Sequence, residues 1–383
     1  MSDIVLPLSG VRVLDMATLT PGKYCSYLLA DLGATVTRVE RPIRAAADDT
    51  GPGDEDRVLN RNKRSIILDL KSAPGAEALA QLCAQSDVLI EANRPGVADR
   101  LGYGYRALSE SNPALVYCAL TAFGQTGPYR DRPAYDLILM GMSGVWHALL
   151  GGREPPAAPG LFLADAVTGL TAAFGVVTAC LQATRTGKGA YLDLSMLEAT
   201  AALLATSHGV ARRQEGHGKQ VAGPARIPGS TPGYRCYQAQ DGAYVVLGAI
   251  RPASWSALRE LVGADALGAD PSATGHEGAG AIAALTHVFA TAPAAAWVAR
   301  LSALDIDCGQ LVGPGEVHDD PQLRAREMVT SGVTGLGEAE LSFLSSPLAP
   351  GFARAVTRPA PAPGQDTEAI LQELGIGAQG AKS

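Results

Sequence analysis

The chain has 383 residues, 47% of them hydrophobic and only 5% aromatic, with a formal net charge of −7. That length exceeds one ordinary core and predicts two domains, and the acidic balance speaks against a nucleic-acid partner. The N-terminus, MSDIVLPLSGVRVLDMA, lacks a basic run followed by an apolar one, so no secretory signal is expected.

In chain order, VRVLDMA (11–17) is a short β-branched run, and the helix-like PGKYCSYLLADLGA closes on Gly33. ATVTRVE reads as a second strand. SIILDL (65–70), a helix around Ala76–Gln85 and DVLIEA (87–92) repeat the pattern, and ALVYCALTAFG adds another strand. Strands alternating with helices predict βαβ units and a parallel sheet. Right-handed crossovers would then gather the carboxyl ends of the strands on one edge, where ligands usually bind. The turn after the first strand is Thr18-Leu19-Thr20-Pro21-Gly22, so neither a GxGxxG nor a GxxxxGK[ST] phosphate loop is present.

Further along, the apolar stretch from Leu161 to Gly189 predicts a helix over Ala166–Thr184, capped by Asp165. Asp165 and several threonines interrupt it, so it reads as a buried helix and not a membrane span. Leu192–His208 is expected to form another helix. The polar, Gly-rich 211–233 is a linker, and YRCYQAQDGAYVVLGAI (234–250) a hairpin around Gln240-Asp241-Gly242. Helical patterns follow at Ala253–Leu261, Ala281–Ala290 and Pro293–Leu304. A Pro-rich tail ends in the helix TEAILQELG. The expected organisation is a large α/β domain of residues 1–210 and 322–383 and a smaller α+β domain of 234–321.

Asp165 is the residue that demands an explanation, because an ionised carboxylate is costly to bury unless something pairs with it or uses it. It is either a structural cap or a nucleophile whose poor hydration sharpens it. Tyr135, in DRPAYDLILMGMSG, is either a core ring or a hydroxyl donor beside that carboxylate. Asp136 reads as a turn or helix cap. Arg41, Asn62-Lys63-Arg64, Lys71, Arg94 and Arg100 flank strand ends, and together would make a polyanion site. The six histidines lack metal spacing, and so do the six scattered cysteines, so no metal is expected and a reducing cytoplasm fits.

PLSGVRVLDMA, LLADLGATVTRVERP, NRNKRSIILDLK, DVLIEANRPGVADRLGYGYRALSESNPALVYCALTAFGQTGPYRDRPAYDLILMGMSG, RTGKGAYLDLSMLEA and GPGEVHDDPQLRAREM together resemble the family III CoA-transferases. That family includes formyl-CoA transferase, carnitine CoA-transferase and α-methylacyl-CoA racemase. The resemblance implies a Rossmann-like large domain built from the N-terminal half and the tail, a smaller domain, and two chains interlocked in an obligate homodimer. It implies acyl-CoA and a carboxylic acid as substrates, and makes Asp165 the catalytic carboxylate, attacking a thioester to form a mixed anhydride and then an aspartyl-CoA thioester. CoA contacts carry over to Arg41, Leu68, Lys71, Asn93 and Arg100, with Leu68 against the adenine. The family commonly has Asn-Phe where this chain has Ala92-Asn93.

Racemases of the family need a base on each face of the α-carbon, one of them a histidine before the Asp of YDLIL. Tyr135 stands there instead, and Arg251 replaces a glutamate that follows GAI. A phenol of ordinary pKa, about 10, is a poor base at neutral pH. Both differences favour transfer over racemisation. Arg226 and Arg251 are the candidates for holding an acceptor carboxylate, since arginine pairs bidentately with that group. In the family a Gly-rich lid occupies the small domain, and ARIPGSTPGY (225–234) stands in its place. Asp366 replaces the usual histidine of the tail.

Overall fold

The computed structural model describes residues 6–42, 53–150, 158–205, 229–263, 267–332, 341–348 and 358–376. Contacts group the chain into two units. One comprises Met1–Val145, Ala158–Ala202 and His318–Ser383; the other comprises Trp146–Ala157 and Leu203–Val317. Most of the expected linker lies outside the described residues.

The first unit is built on six parallel strands, β1 (Arg12–Asp15), β2 (Thr35–Glu40), β3 (Arg64–Ile67), β4 (Val88–Glu91), β5 (Val116–Thr121) and β6 (Ala190–Ser195). Their order is β3-β2-β1-β4-β5-β6, the doubly wound arrangement whose direction reverses between β1 and β4. The helices between them in the chain are α1 (Thr20–Asp31), α2 (Asp54–Leu59), α3 (Ala73–Gln85), α4 (Val97–Arg100), α5 (Tyr105–Ser111), α6 (Asp136–Met142), α7 (Val145–Leu150, which belongs to the second unit from Trp146 on), α8 (Leu163–Thr186) and, after β6, α9 (Met196–Ala202).

Strand residues alternate between two cores, as the period of two requires. Val13, Val88, Ile90, Val116 and Cys118 pack on one face against Cys25 and Leu29 of α1 and Ala172 and Val176 of α8. Leu14, Leu89 and Tyr117 turn the other way, toward Leu79 and Leu82 of α3 and toward Ile370 and Leu371 of the tail helix Thr367–Glu373. That tail covers the exposed edge of β3: the amides of Ser65 and Ile67 donate to Asp366 Oδ2 at 2.8 Å and Thr367 Oγ1 at 3.1 Å, and Arg64 grips Glu373 with both guanidinium nitrogens. Asp366 thus satisfies an edge amide that would otherwise invite pairing.

One helix expectation needs correcting. Residues 192–195 continue β6, and the helix begins only at Met196. Tyr191-Leu192-Asp193-Leu194 alternates with a period of two, and β6 pairs with β5 from Val116↔Ala190 to Thr121↔Ser195.

The second unit has an antiparallel sheet, β7 (Tyr234–Gln238), β8 (Tyr244–Gly248) and β9 (Cys308–Gln310), with the turn at Gln240-Asp241-Gly242 as expected. Helices Pro252–Val262, Gly275–Phe289 and Ala294–Ser302 cover it, and Tyr237 stacks on Phe289 in the core.

Beneath the carboxyl end of β1 lies a fully buried ion pair. Lys63 Nζ donates to Ser26 Oγ at 2.6 Å, Asn60 Oδ1 at 3.1 Å and Asp15 Oδ2 at 3.3 Å, and Ser26 Oγ donates to Asp15 Oδ2 at 2.5 Å. Burial pushes the ammonium down to about 8, with Asp15 opposing the shift, so Lys63 is charged at neutral pH. Asp15 Oδ1 accepts the Ala17 amide at 3.0 Å and shapes the turn into α1. Lys63→Ala strips the cation from a buried carboxylate and is expected to cost about 3–5 kcal/mol. A urea titration measures it, and a loss under about 1 kcal/mol contradicts this account of the turn.

Candidate active site

The carboxyl ends of β1, β4, β5 and β6 open into a cleft of about 170 Å³ at the switch point. Leu19 and Pro21 after β1, Asn93 and Arg94 after β4, and Thr121 and Ala122 around the end of β5 line it. Tyr135 adds a wall; it is the N-cap residue of α6 and 76% exposed, so its ring is not in the core.

One residue beyond Tyr135, Asp136 reaches across to the start of α8 and accepts the backbone N–H of Asp165 at 3.0 Å. The first amides of a helix have no partner within it, and here another helix supplies one. This corrects the expectation that Asp165 caps its own helix. Helix α8 starts at Leu163 with Phe162 as N-cap, which puts Asp165 inside the first turn, and no side chain of the N-cap residue bonds to it. Its carboxylate is half-buried and accepts no hydrogen bond from any described residue.

One glycine, Gly169, lets α8 meet α1 at this level, and another, Gly22, lets α1 start against the turn out of β1. A Cβ on Gly169 would lie 2.8 Å from Pro21 O and from Tyr24 Cβ, and one on Gly22 would lie 2.1 Å from Ala17 Cβ. Neither position has room for a side chain. The buried face of α8 accordingly carries small residues, Ala164, Gly169, Ala172 and Ala173 among them.

Opposing electrostatic influences act on Asp165. The positive end of the α8 dipole favours the anion, but burial, then the Asp136 carboxylate, then that of Glu55, push its pKa up to about 7. Glu55 stands in the first turn of α2, where Thr20 Oγ1 donates to it at 2.9 Å and Lys23 Nζ lies 3.9 Å away. Two carboxyl groups therefore act on Asp165 at this end of the sheet. Asp165 is poised between acid and base, and a bound ligand that excludes water would deepen the effect. Nothing in the sequence links Glu55 to Asp165, 110 positions away. Asp136 is visible in the sequence as a turn or helix cap, but not as a partner of Asp165 on another helix.

The other predicted residues divide. Arg41, Lys71 and Arg100 are exposed, follow the carboxyl ends of β2, β3 and β4, and make no ion pair with a described residue; Arg94 is the same. Lys63 and Arg64 leave the expected cationic set, being committed to Asp15 and Glu373. Leu68 is 1% exposed and packed in the second core, so its side chain offers no face to an adenine. Arg251 belongs to the second unit and already pairs with Asp305 and Asp307, each at 3.4 Å, so it is not a free carboxylate receptor. Arg226 lies outside the described residues, as does the whole of 225–228. Among the described residues, no group of three His, Cys, Asp or Glu is placed to hold a metal ion.

A doubly wound sheet with a switch-point cleft defines an α/β protein with a ligand site at the strand ends, and the Asp165 carboxylate, unpartnered among the described residues, is held next to a wall of that cleft through Asp136. The chain belongs to CoA-transferase family III, whose family model matches residues 8–367. It is 32% identical to human α-methylacyl-CoA racemase over 97% of this chain and 94% of that protein. It is 34% identical to the acetyl-CoA:oxalate CoA-transferase of Acetobacter aceti over 84% and 85%. The crystal structure of a CAIB/BAIF family protein from Brucella suis superposes with a TM-score of 0.81 at 28% identity, covering 96% of this chain and 99% of that one. Relatives of both reaction types are thus at similar distance.

If Glu55 raises the Asp165 pKa, Glu55→Gln should lower it. Any step that needs the Asp165 carboxylate is lost as pH falls through about 7 in the wild type. The acid limb of the kcat/KM profile should move to lower pH in Glu55→Gln, by a fraction of a unit. An unmoved limb contradicts the coupling.

Proposed function

We propose that the protein is an acyl-CoA:carboxylate CoA-transferase working through covalent intermediates on Asp165. The observation that carries this reading is the Asp165 carboxylate itself, half-buried, tied through its backbone to Asp136 next to the cleft residue Tyr135, and with no hydrogen-bond donor among the described residues. Such an anion is under-solvated and therefore nucleophilic. Its oxygen adds to the thioester carbonyl of the donor and expels CoA thiolate, leaving a mixed anhydride. The thiolate then attacks the aspartyl carbonyl, releases the donor acid and forms an aspartyl-CoA thioester. The acceptor carboxylate attacks that thioester, and the thiolate expelled a second time takes the acceptor acyl group and frees Asp165. Each intermediate is open to hydrolysis, and the apolar start of α8, with Leu161, Phe162 and Leu163, suits a site that must stay dry once filled.

The CoA moiety is assigned to the strand-end edge, with Arg41, Lys71 and Arg100 for its phosphates and Asn93 for the arm. The working form is taken to be a homodimer, in a reducing cytoplasm where the six free cysteines would persist. Helix α8 supports the dimer. By length and composition it could cross a membrane, yet one face packs on α1 and the other leaves Leu170, Phe174 and Leu181 more than half exposed. An apolar stripe of that kind marks an association surface.

A second reading has its own observation. An Asp165 pKa of about 7 also suits a base that removes the α-proton of a 2-methylacyl-CoA, as in the racemase relative. Against it, racemisation needs a second base, and the residue preceding Asp136 is the phenol Tyr135. The two readings part in one experiment. Acetyl-CoA or succinyl-CoA with a panel of small carboxylic acids, oxalate included, is expected to give new acyl-CoA species by mass spectrometry. Asp165→Ala should abolish them, by roughly a thousandfold or more. Deuterium entering the α-carbon of 2-methylacyl-CoA in heavy water, without any new acyl-CoA, would establish the racemase instead.

A further inference from the structure

Asn93 sits where β4 ends and lines the cleft, and both hydrogens of its side-chain amide are already placed. Its Nδ2 donates to Glu91 Oε2 at 2.9 Å and to Tyr103 OH at 2.8 Å, while its backbone N–H donates to the same Glu91 oxygen at 2.7 Å. A carboxylate oxygen accepts, so these bonds also decide which end of the amide is nitrogen. The carbonyl oxygen, Oδ1, is what remains, and no described residue donates to it.

Neither partner is free to let go. Glu91 is 4% exposed and Tyr103 3% exposed, and turning Asn93 round would set its Oδ1 against the buried Glu91 carboxylate oxygen, acceptor against acceptor. Burial pushes the Glu91 pKa up, and the two bonds from Asn93 draw it back. Oδ1 is therefore a fixed acceptor in a cleft otherwise furnished with donors, namely the guanidinium groups of Arg94, Arg130 and Arg132. Phosphates and carboxylates suit those donors. Oδ1 requires the opposite, a ligand that offers an N–H or O–H.

We propose that Asn93 Oδ1 accepts a hydrogen bond from a secondary-amide N–H of the CoA arm, with Glu91 and Tyr103 as the residues that position it. This rests on the acyl-CoA reading. A CoA thioester carries few donors along the arm, because its phosphates and thioester oxygen are acceptors at neutral pH. What it does carry is two amide N–H groups and one hydroxyl. An acceptor held still beside the path of the arm selects a ligand with an amide there, and sets how far the thioester reaches along the cleft toward Asp165.

The test uses the intact protein and four compounds: acetyl-CoA, two analogues in which one or the other amide N–H is replaced by an ester oxygen, and a third lacking the arm hydroxyl. For the wild type, one ester analogue should show a KM raised about tenfold with kcat little changed, the effect of one lost hydrogen bond. Asn93→Ala should raise the KM of acetyl-CoA by a similar factor and no longer distinguish that analogue. Tyr103→Phe, a milder change that keeps the ring, should reduce the distinction without abolishing it. Equal KM for both ester analogues and acetyl-CoA in the wild type overturns the proposal and leaves the acyl-CoA reading intact. So does discrimination that persists in Asn93→Ala, or discrimination confined to the compound lacking the hydroxyl. A wild type that binds none of the compounds overturns the acyl-CoA reading itself, and this inference with it.

Discussion

The hydrogen bond from the Asp165 backbone to the Asp136 carboxylate, 3.0 Å long, joins the starts of α8 and α6 and places the one carboxylate on which the site turns. Its position depends on what lies below. The buried Lys63–Asp15 pair shapes the turn out of β1, that turn delivers Pro21 and Gly22 to the start of α1, and Gly169 allows α8 to close against them. A side chain at Gly169 would push the helices apart and shift Asp165, and one at Gly22 would collide with Ala17 in the turn out of β1. The site is therefore a consequence of close backbone packing, more than of any contact made by the Asp165 side chain.

Holding Asp165 in this way costs stability and supplies reactivity. The helix dipole alone would keep it ionised, but desolvation and the two neighbouring carboxylates prevail and push it up to about 7. Natural sites accept such local conflicts where chemistry needs them. The surroundings of Asp165 contrast with those of Asp15, also an aspartate at the same end of the sheet. Asp15 has a lysine, a serine and a backbone amide around it, and is structural. Asp165 has no donor to its carboxylate among the described residues, and that difference separates a group spent on folding from one left for a ligand.

Much of the frame was legible in the sequence because it is written in local periodicity. The alternation of Val13 with Leu14 and of Val88, Leu89 and Ile90 between two cores is a period-two signal, and the small residues of α8 mark a helix that packs closely. The hairpin at Asp241-Gly242 announced itself by its turn residues. What stayed hidden depends on partners distant in the chain. The Asp136 cap on another helix, Glu55 acting on Asp165, and Arg64 committed to Glu373 have no local signature. Leu192–Leu194 is a strand where the sequence predicts a helix, because a short alternating run next to a helical one fits either period until β5 pairs beside it. Asn93 was found as a ligand contact by resemblance, but the polarity of its amide could be known only from Glu91 and Tyr103.

The account stands on a covalent bond at a single carboxylate. Protein mixed with excess acyl-CoA, quenched within a turnover and treated with hydroxylamine, should carry a hydroxamate on the peptide that contains Asp165, and Asp165→Asn should not. Active protein whose Asp165 peptide is never modified, under conditions where new acyl-CoA accumulates, would contradict it.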